Sequence, residues 1–305
     1  MASALTLIGQ GIEGEWNIPL LRNAAEMSGA ALLFAQEETP CRTPDGTDGS
    51  RPQIERMWER FDHVVACEAI PAGRNVYEYP APRGRLGVIV GNERSGIPRH
   101  VLRKADQVVS IPMFGRGISS VNVAVAAAVV LYVLQRDLGR KRLRTSALTH
   151  RDVDVLVLGL PDPNELGSLF RSVWAFGWQR VFLADHQGAW FSKDRSTVIA
   201  GRAAARREVN PLVIAPHDQL DVREYERIVR CGGERQGTAL SRYSLTSRGK
   251  TLLVYGDGDL PFEFTGPVDS VYVDYAAAEV PACFRHVGSI LLSVVSQLLR
   301  QRRHG

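Results

Sequence analysis

Residues 87–139 read GVIVGNERSGIPRHVLRKADQVVSIPMFGRGISSVNVAVAAAVVLYVLQRDLG, and this stretch decides the architecture. Val88, Ile89 and Val90 form a short β-branched run that stops at Gly91. A run of that kind, bounded by turn formers, marks a strand covered on both faces in a parallel sheet. A second run, 107–113, gives way to the loop Phe114-Gly115-Arg116-Gly117. Ser119 and Ser120 then offer N-cap hydroxyls to a long apolar helix expected to begin near Val121, and Gly139 is placed to end it. Pro98 and the residues to Asp106 predict a short helix between the two loops. Strand, loop and helix thus alternate twice, which is an α/β pattern whose ligands sit beyond the carboxyl ends of the strands.

The chain has 305 residues, enough for two domains of ordinary size. Its four cysteines, Cys41, Cys67, Cys231 and Cys283, include no CxxC pair, so neither a zinc cluster nor a disulfide framework is expected. No basic-then-apolar leader opens the sequence and no apolar run reaches membrane-spanning length, so a cytoplasmic protein without membrane association is expected. A formal charge of +4 permits a polyanionic partner without requiring one. The basic residues gather at Arg140, Lys141, Arg142 and Arg144, at Arg202, Arg206 and Arg207, and at Arg300, Arg302 and Arg303, where a solvated face is the plainer reading.

From the N-terminus, Leu5–Ile8 reads as a strand, followed by Gly9-Gln10-Gly11-Ile12-Glu13-Gly14, a literal GxGxxG. A dinucleotide fingerprint also needs an acidic residue about 20 positions on, nominally Glu37, but a turn into a helix capped near Asn17 is the simpler use. The polar run Glu37–Arg51 reads as a surface loop, and Ile54, Met57, Trp58 and Phe61 recur at helical spacing. After Gly139 comes the basic link RKRLRTSALTHRD, and then the chain starts again. Val153–Leu158 is a strand, Thr251–Pro261 mirrors GVIVGNERSGIP, and Val271–Leu298 mirrors the last strand and helix. The expected organisation is a repeat at 1–140, a linker at 141–151 and a second repeat at 152–305.

The elements GNERSGIP and IPMFGRGISSVNVAVA resemble the second and third motifs of the SpoU (TrmH-like) class of the SPOUT methyltransferase superfamily, with Val121 where leucine is usual. The segment 17–29, NIPLLRNAAEMSG, resembles the first motif of that class only in part: Asn17 and Gly29 fit, Pro19 replaces a glycine, and Asn23 stands where an arginine belongs, with Arg22 one place early. The second repeat carries that motif better, in Asp162, Pro163, Gly167, Arg171, Ala175, Phe176 and Gly177, with Glu165 or its neighbour Asn164 at the asparagine position. It has lost the others: Asp257-Gly258-Asp259 replaces Asn92-Glu93-Arg94, and His286-Val287-Gly288 replaces Ser120-Val121-Asn122.

The resemblance implies two tandem SPOUT-like α/β domains with parallel sheets and a trefoil knot in at least the first. It also implies S-adenosylmethionine as methyl donor, held by Val90, Gly91, Asn92, Glu93, Gly96, Ile111, Pro112, Met113, Gly115, Ser120 and Asn122. In that class the first-motif arginine of one subunit faces the donor bound by the other. A fused pair with complementary damage then keeps one composite site, with Arg171, Asn122, Ser120 and Glu93 as catalytic residues, in a monomeric pseudodimer that needs no metal. Arg171 is assigned to positioning, to stabilising an oxyanion or a phosphate, or to proton transfer shared with that phosphate, the plainer alternative being a structural ion pair. His63, His150, His186 and His286 are further candidate bases, none singled out by its surroundings in sequence. The acceptor implied is a ribose 2′-hydroxyl of RNA, rRNA or tRNA. A small metabolite acceptor is the alternative, and a non-catalytic binding module is a third reading.

Overall fold

The computed structural model describes residues 5–35, 57–115, 120–141, 143–144, 146–160, 162–193, 195–206, 209–232, 235–246, 249–277 and 279–299. The chain is α/β with parallel sheets, and it divides into two compact units. One consists of Met1–Ile111, Asn122–Arg142 and Tyr275–Ala282; the other consists of Pro112–Val121, Leu143–Asp274 and Cys283–Gly305.

The first unit runs β1 (Leu5–Gln10), α1 (Asn17–Met27), β2 (Ala31–Ala35), β3 (His63–Cys67), β4 (Arg74–Asn75), β5 (Leu86–Val90), α2 (Arg99–Lys104), β6 (Gln107–Ser110), α3 (Val123–Gln135) and α4 (Leu138–Lys141). Its strands lie in the order β2-β1-β5-β3-β6-β4, all paired in parallel. Every residue of β5 is buried, because the strand is hydrogen-bonded to β1 and β3 on its two edges and covered on both faces. That is the physical source of its unbroken apolar run. One layer of the core joins Ile8, Ala35, Val64, Ala66 and Ile89 to Ile97 and Val101.

Four expectations need correction here. The long helix starts at Val123, and its cap is the Asn122 side chain, which accepts a hydrogen bond from Ala124 N. Ser120 is therefore not the cap, and Ser119 lies outside the described residues. The helix ends at Gln135, with Asp137 in the left-handed region at φ 49°. Gly139 sits instead in α4, where a Cβ would lie 2.2 Å from Tyr79 O, so its glycine serves a close backbone approach. Strand β6 ends at Ser110, short of Met113. The helix after the GxGxxG does begin at Asn17, but without a side-chain cap at Trp16.

The second unit runs β7 (Val153–Leu158), α5 (Pro163–Ala175), β8 (Arg180–Ala184), α6 (Arg195–Ala204), β9 (Val213–Pro216), β10 (Arg227–Cys231), β11 (Thr238–Ala239), β12 (Thr251–Tyr255), β13 (Val268–Tyr272) and α7 (Phe284–Leu298). Its sheet order is β11-β13-β10-β12-β7-β8-β9. Read from the other edge, β8-β7-β12-β10-β13-β11 repeats the order of the first sheet, with β9 added outside β8. The Asp162-Pro163 pair explains the start of α5: Asp162 accepts from the backbone of Asn164 and Glu165, and Pro163 occupies the first turn, where its missing N–H costs nothing. Helix α7 begins after Cys283, so Gly288 lies inside it. The counterpart of the cap Asn122 is therefore Cys283, and not Gly288 as the sequence alignment places it.

Glu37–Arg51, Ile54, Arg116, Gly117, Arg142, Arg207, Arg300, Arg302, Arg303 and Cys41 lie outside the described residues. No helix among the described residues is long and apolar enough to cross a membrane.

Candidate active site

In the first unit the chain leaves β5 at Val90 and doubles back at once. A Cβ on Gly91 would lie 2.4 Å from the carbonyl carbon of Gly96, so only glycine allows the turn. Asn92 and Gly96 exchange backbone hydrogen bonds of 3.1 and 3.0 Å, and Gly96 has φ +71°. The Asn92 side chain does the rest: Oδ1 accepts from Arg94 N and Ser95 N, and Nδ2 donates to Gly11 O at 2.6 Å. Glu68, which carried no signal in the sequence, closes the far side by accepting from Ile97 N at 2.7 Å.

Glu93 faces the Gly9–Gly14 loop. Its carboxylate accepts from Gly14 N at 3.1 Å, from Glu13 N at 3.3 Å and from Asn17 Nδ2 at 2.5 Å. Amide groups that a dinucleotide fingerprint would turn towards a phosphate are here engaged by the protein's own carboxylate. Partial burial pulls the Glu93 carboxyl upward, but its hydrogen bonds with the Asn17 side chain and with the backbone N–H groups of Glu93, Glu13 and Gly14 outweigh this. It stays below its ordinary range. Asn17 Oδ1 in turn accepts from Asn122 Nδ2 at 2.9 Å, and Asn122 Oδ1 accepts from Ala124 N at 2.9 Å. One polar chain thus ties Glu93, Asn17 and the start of α3, bringing together three residues that lie far apart in sequence. The pairing of β6 ends near Ser110, so the peptide group of buried Ile111 stands beyond the ladder at the carboxyl end of the sheet, and half-buried Pro112 and Met113 follow it in the chain.

In the second unit Arg171, on α5, is a buried residue, only 8% exposed. Nε donates to Ser120 O at 2.9 Å, and Nη2 donates to Ser120 Oγ at 2.9 Å and to Val121 O at 3.2 Å. Nη1 has no partner among the described residues, which leaves two N–H donors available. Burial, with the nearby Arg206 charge, lowers the Arg171 pKa to about 10, so the group remains a cation at neutral pH. Beside it the backbone N–H groups of Phe114 and Gly115 donate to Ala175 O at 2.9 and 3.1 Å. A Cβ on Gly115 would fall 2.1 Å from Trp174 O, so the loop reaches α5 only as glycine.

The same positions elsewhere are filled differently. In the first unit Asn23 Nδ2 donates to Pro281 O at 2.7 Å, two residues before Cys283, as Arg171 donates to Ser120 O two residues before Asn122. Asn23 therefore stands where the arginine stands, with a shorter side chain and no charge. In the second unit Glu165 accepts from Arg285 N at 2.9 Å and Arg285 Nε at 2.5 Å, so an ion pair replaces the Asn17–Asn122 amide pair.

The histidines divide by burial. His150 packs between Phe114 and Trp178, and its Nε2 meets Ser296 Oγ at 2.9 Å. The Ser296 hydroxyl proton goes to Phe176 O, so the ring donates from Nε2. Burial lowers its pKa to about 4 and that of fully buried His286 to about 3. His186 meets His217 edge-on, and His63 opens β3. Both buried rings stay neutral when folded but take up a proton from about pH 6.5 downward when unfolded. The stability they contribute above pH 6.5 is thus expected to fall as pH drops towards 4, each ring adding about 1.4 kcal/mol per pH unit. Urea unfolding between pH 7 and pH 4 measures the slope, and His150→Gln should make it shallower; an unchanged slope would refute the role of this ring.

Residues 51–132 match the SpoU rRNA Methylase family. A tRNA (guanosine(18)-2'-O)-methyltransferase of Escherichia coli (strain K12) is 45% identical over 49 residues, which are 16% of this chain and 21% of that protein. The 23S rRNA (guanosine(2553)-2'-O)-methyltransferase RlmP of Bacillus subtilis (strain 168) is 28% identical over 100 residues, covering 31% of this chain and 40% of that one. The chain therefore spans well under two thirds of these relatives' length. Among solved structures, the A. aeolicus TrmH/SpoU tRNA modifying enzyme is 21% identical over 46% of this chain and 77% of its own, with a TM-score of 0.36.

Proposed function

We propose that this chain, whose residues 51–132 match the SpoU rRNA Methylase family, is an S-adenosylmethionine-dependent methyltransferase of RNA ribose 2′-hydroxyls with one composite active site. The relatives named above carry that activity in their names, one on tRNA and one on rRNA. The observation that carries the composite site is the grip of Arg171 on Ser120 and on the carbonyl of Val121, the residue bonded directly to the helix cap Asn122. The first repeat supplies the donor loops and the second supplies the arginine. With Asn23 in place of an arginine and an ion pair in place of the amide pair, the mirror-image site has lost both parts.

The domain reading is two tandem SPOUT-like repeats, 1–140 and 152–305, joined by 141–151 as a monomeric, cytoplasmic pseudodimer; the repeated strand order supports it. A trefoil knot at the end of the first repeat is part of this reading. Its support is that β5 is inserted between β1 and β3 and that the chain then returns through α3 against β5 and β3.

The residues present fit an adenosine-bearing donor: Val90 and Ile111 are apolar, and the peptide groups of Gly91 and Ile111 directly follow the ends of β5 and β6. When bound, S-adenosylmethionine supplies the methyl group. Gly96 and Asn92 hold the first loop, Gly115 holds the second, and Asn122 fixes the start of α3. Ser120 and Val121 form the stretch that Arg171 grips. Arg171 keeps its proton, so it serves as a donor to a developing oxyanion or a phosphate through Nη1, and not as the base. Glu93 acts by shaping the loop.

Calorimetric titration with S-adenosylmethionine tests the reading. One donor per chain is expected, with binding lost in Asn122→Ala and retained in Arg171→Ala. A thermal melt of Asn122→Ala separates ligand loss from the helix-cap cost of about 1 kcal/mol. Two donors per chain would refute the single site, and none would refute the methyltransferase.

A further inference from the structure

We infer that Arg206 joins Arg171 to form a two-arginine receptor for a phosphate of the acceptor, which makes that acceptor a nucleic acid and not a neutral metabolite. This rests on the methyltransferase reading and goes further by naming the group that selects the substrate.

The geometry lies wholly within the second unit. Helices α5 and α6 meet backbone to backbone: a Cβ on Gly167 would lie 2.0 Å from Gly201 O, and one on Gly201 would lie 2.7 Å from Pro163 O. Helix α6 then stops, and Arg206 turns the chain with φ 50°, a conformation unfavourable for any residue with a Cβ and unusual outside glycine and asparagine. Buried Asn210 locks that turn. Its N–H donates to Arg206 O at 2.9 Å, and its Nδ2 donates to Ala205 O at 3.0 Å and reaches Phe170 O at 3.5 Å. Phe170 is the residue before Arg171, so the Arg206 turn is pinned to α5 beside the proposed catalytic guanidinium.

The Arg206 side chain is exposed, and no carboxylate among the described residues pairs with either guanidinium. The positive charge of Arg206 is felt at Arg171, where it adds to the effect of burial. A buried amide pins the strained Arg206 turn to the residue before Arg171, and with no counter-ion among the described residues the two charges present an arrangement that an anion would relieve. Guanidinium pairs match the oxygens of a phosphate in shape and charge, and such contacts set the register of a nucleic acid without reading its sequence.

The test compares the full chain with Arg206→Gly, using fluorescence anisotropy on a labelled single-stranded RNA dodecamer of random sequence at several salt concentrations, with S-adenosylmethionine calorimetry alongside. Glycine accepts the left-handed turn, so this variant keeps the fold, and a melt no lower than that of the parent verifies it. Arg223→Gly, which removes an exposed guanidinium paired with Asp221, is the control for net charge. Arg206→Gly is expected to bind RNA about tenfold more weakly, with the slope of log K against log salt reduced by about 0.7, and to bind the donor unchanged. Arg223→Gly should alter neither. An unchanged RNA affinity and slope in Arg206→Gly, an equal loss in Arg223→Gly, or no RNA binding by the parent would overturn the receptor. Absence of donor binding in the parent would instead overturn the methyltransferase reading, while the RNA result still decides the receptor by itself.

Discussion

Arg171→Ala is expected to lower kcat for methyl transfer by about 10²–10³-fold while leaving the affinity for S-adenosylmethionine unchanged. The proposed role is played by the two Nη1 donors, the part of the guanidinium not already bonded to Ser120 and Val121. Removing them withdraws stabilisation from charge that develops only during reaction, so the loss belongs in kcat and not in donor binding. The variant also leaves the carbonyls of Ser120 and Val121 without their donor, at roughly 1–3 kcal/mol for each that stays buried. A lower melting temperature is therefore expected as well. Arg171→Lys separates the two effects, since an ammonium keeps the charge but cannot reach three acceptors and still present two further donors in one plane. Asn23→Ala, at the matching place in α1, should leave the rate unchanged. A single-turnover rate within a few-fold of the parent for Arg171→Ala would sink the composite site.

Gly167→Ala is expected to be the most destabilising of these substitutions, by about 3 kcal/mol or more. The added methyl would sit 2.0 Å from Gly201 O and 3.0 Å from the Ala204 Cβ, and the first of these is helix backbone that cannot rotate away. Helices α5 and α6 must separate, reopening contacts along both. Arg171 lies one turn beyond Gly167 on the same face of α5, so the shift also displaces the guanidinium from Ser120. Thermal unfolding and donor calorimetry together check this: a lower midpoint with donor binding preserved is the expected pair. A midpoint unchanged from the parent would mean that the helices have room, and the close approach would be refuted.

Much of the site was legible because its signals are local. Asn92 and Gly96 lie in one turn, and Asp162 and Pro163 announce the start of α5 wherever that helix packs. The cap of α3 was misread because Ser119, Ser120 and Asn122 are all good caps in isolation, and packing, not propensity, decides which one sits at the helix end. The second-repeat alignment slipped for a related reason. His286, Val287 and Gly288 resemble a loop in composition, yet they lie in the first turns of α7, where burial overrides the weak helix preference of glycine. Glu68 and Asn210 carried no motif at all, since each acts on backbone groups far from it in sequence or against its sequence context.

From the amino-acid order alone came the α/β class and the strand through Val88, Ile89 and Val90, because periodicity and turn chemistry are short-range properties of the chain, and the expectation of a repeat with its motifs came from resemblance to a known family. Only the tertiary structure decided how those residues are used. It placed Glu93 on the Gly9–Gly14 loop, linked Asn17 to Asn122, set the guanidinium of Arg171 on Ser120, and brought Asn210 at the Arg206 turn to the carbonyl of Phe170. Those pairings span gaps of 40 to more than 100 residues, and a polar side chain's partner across such a gap is set by where packed helices and strands deliver it.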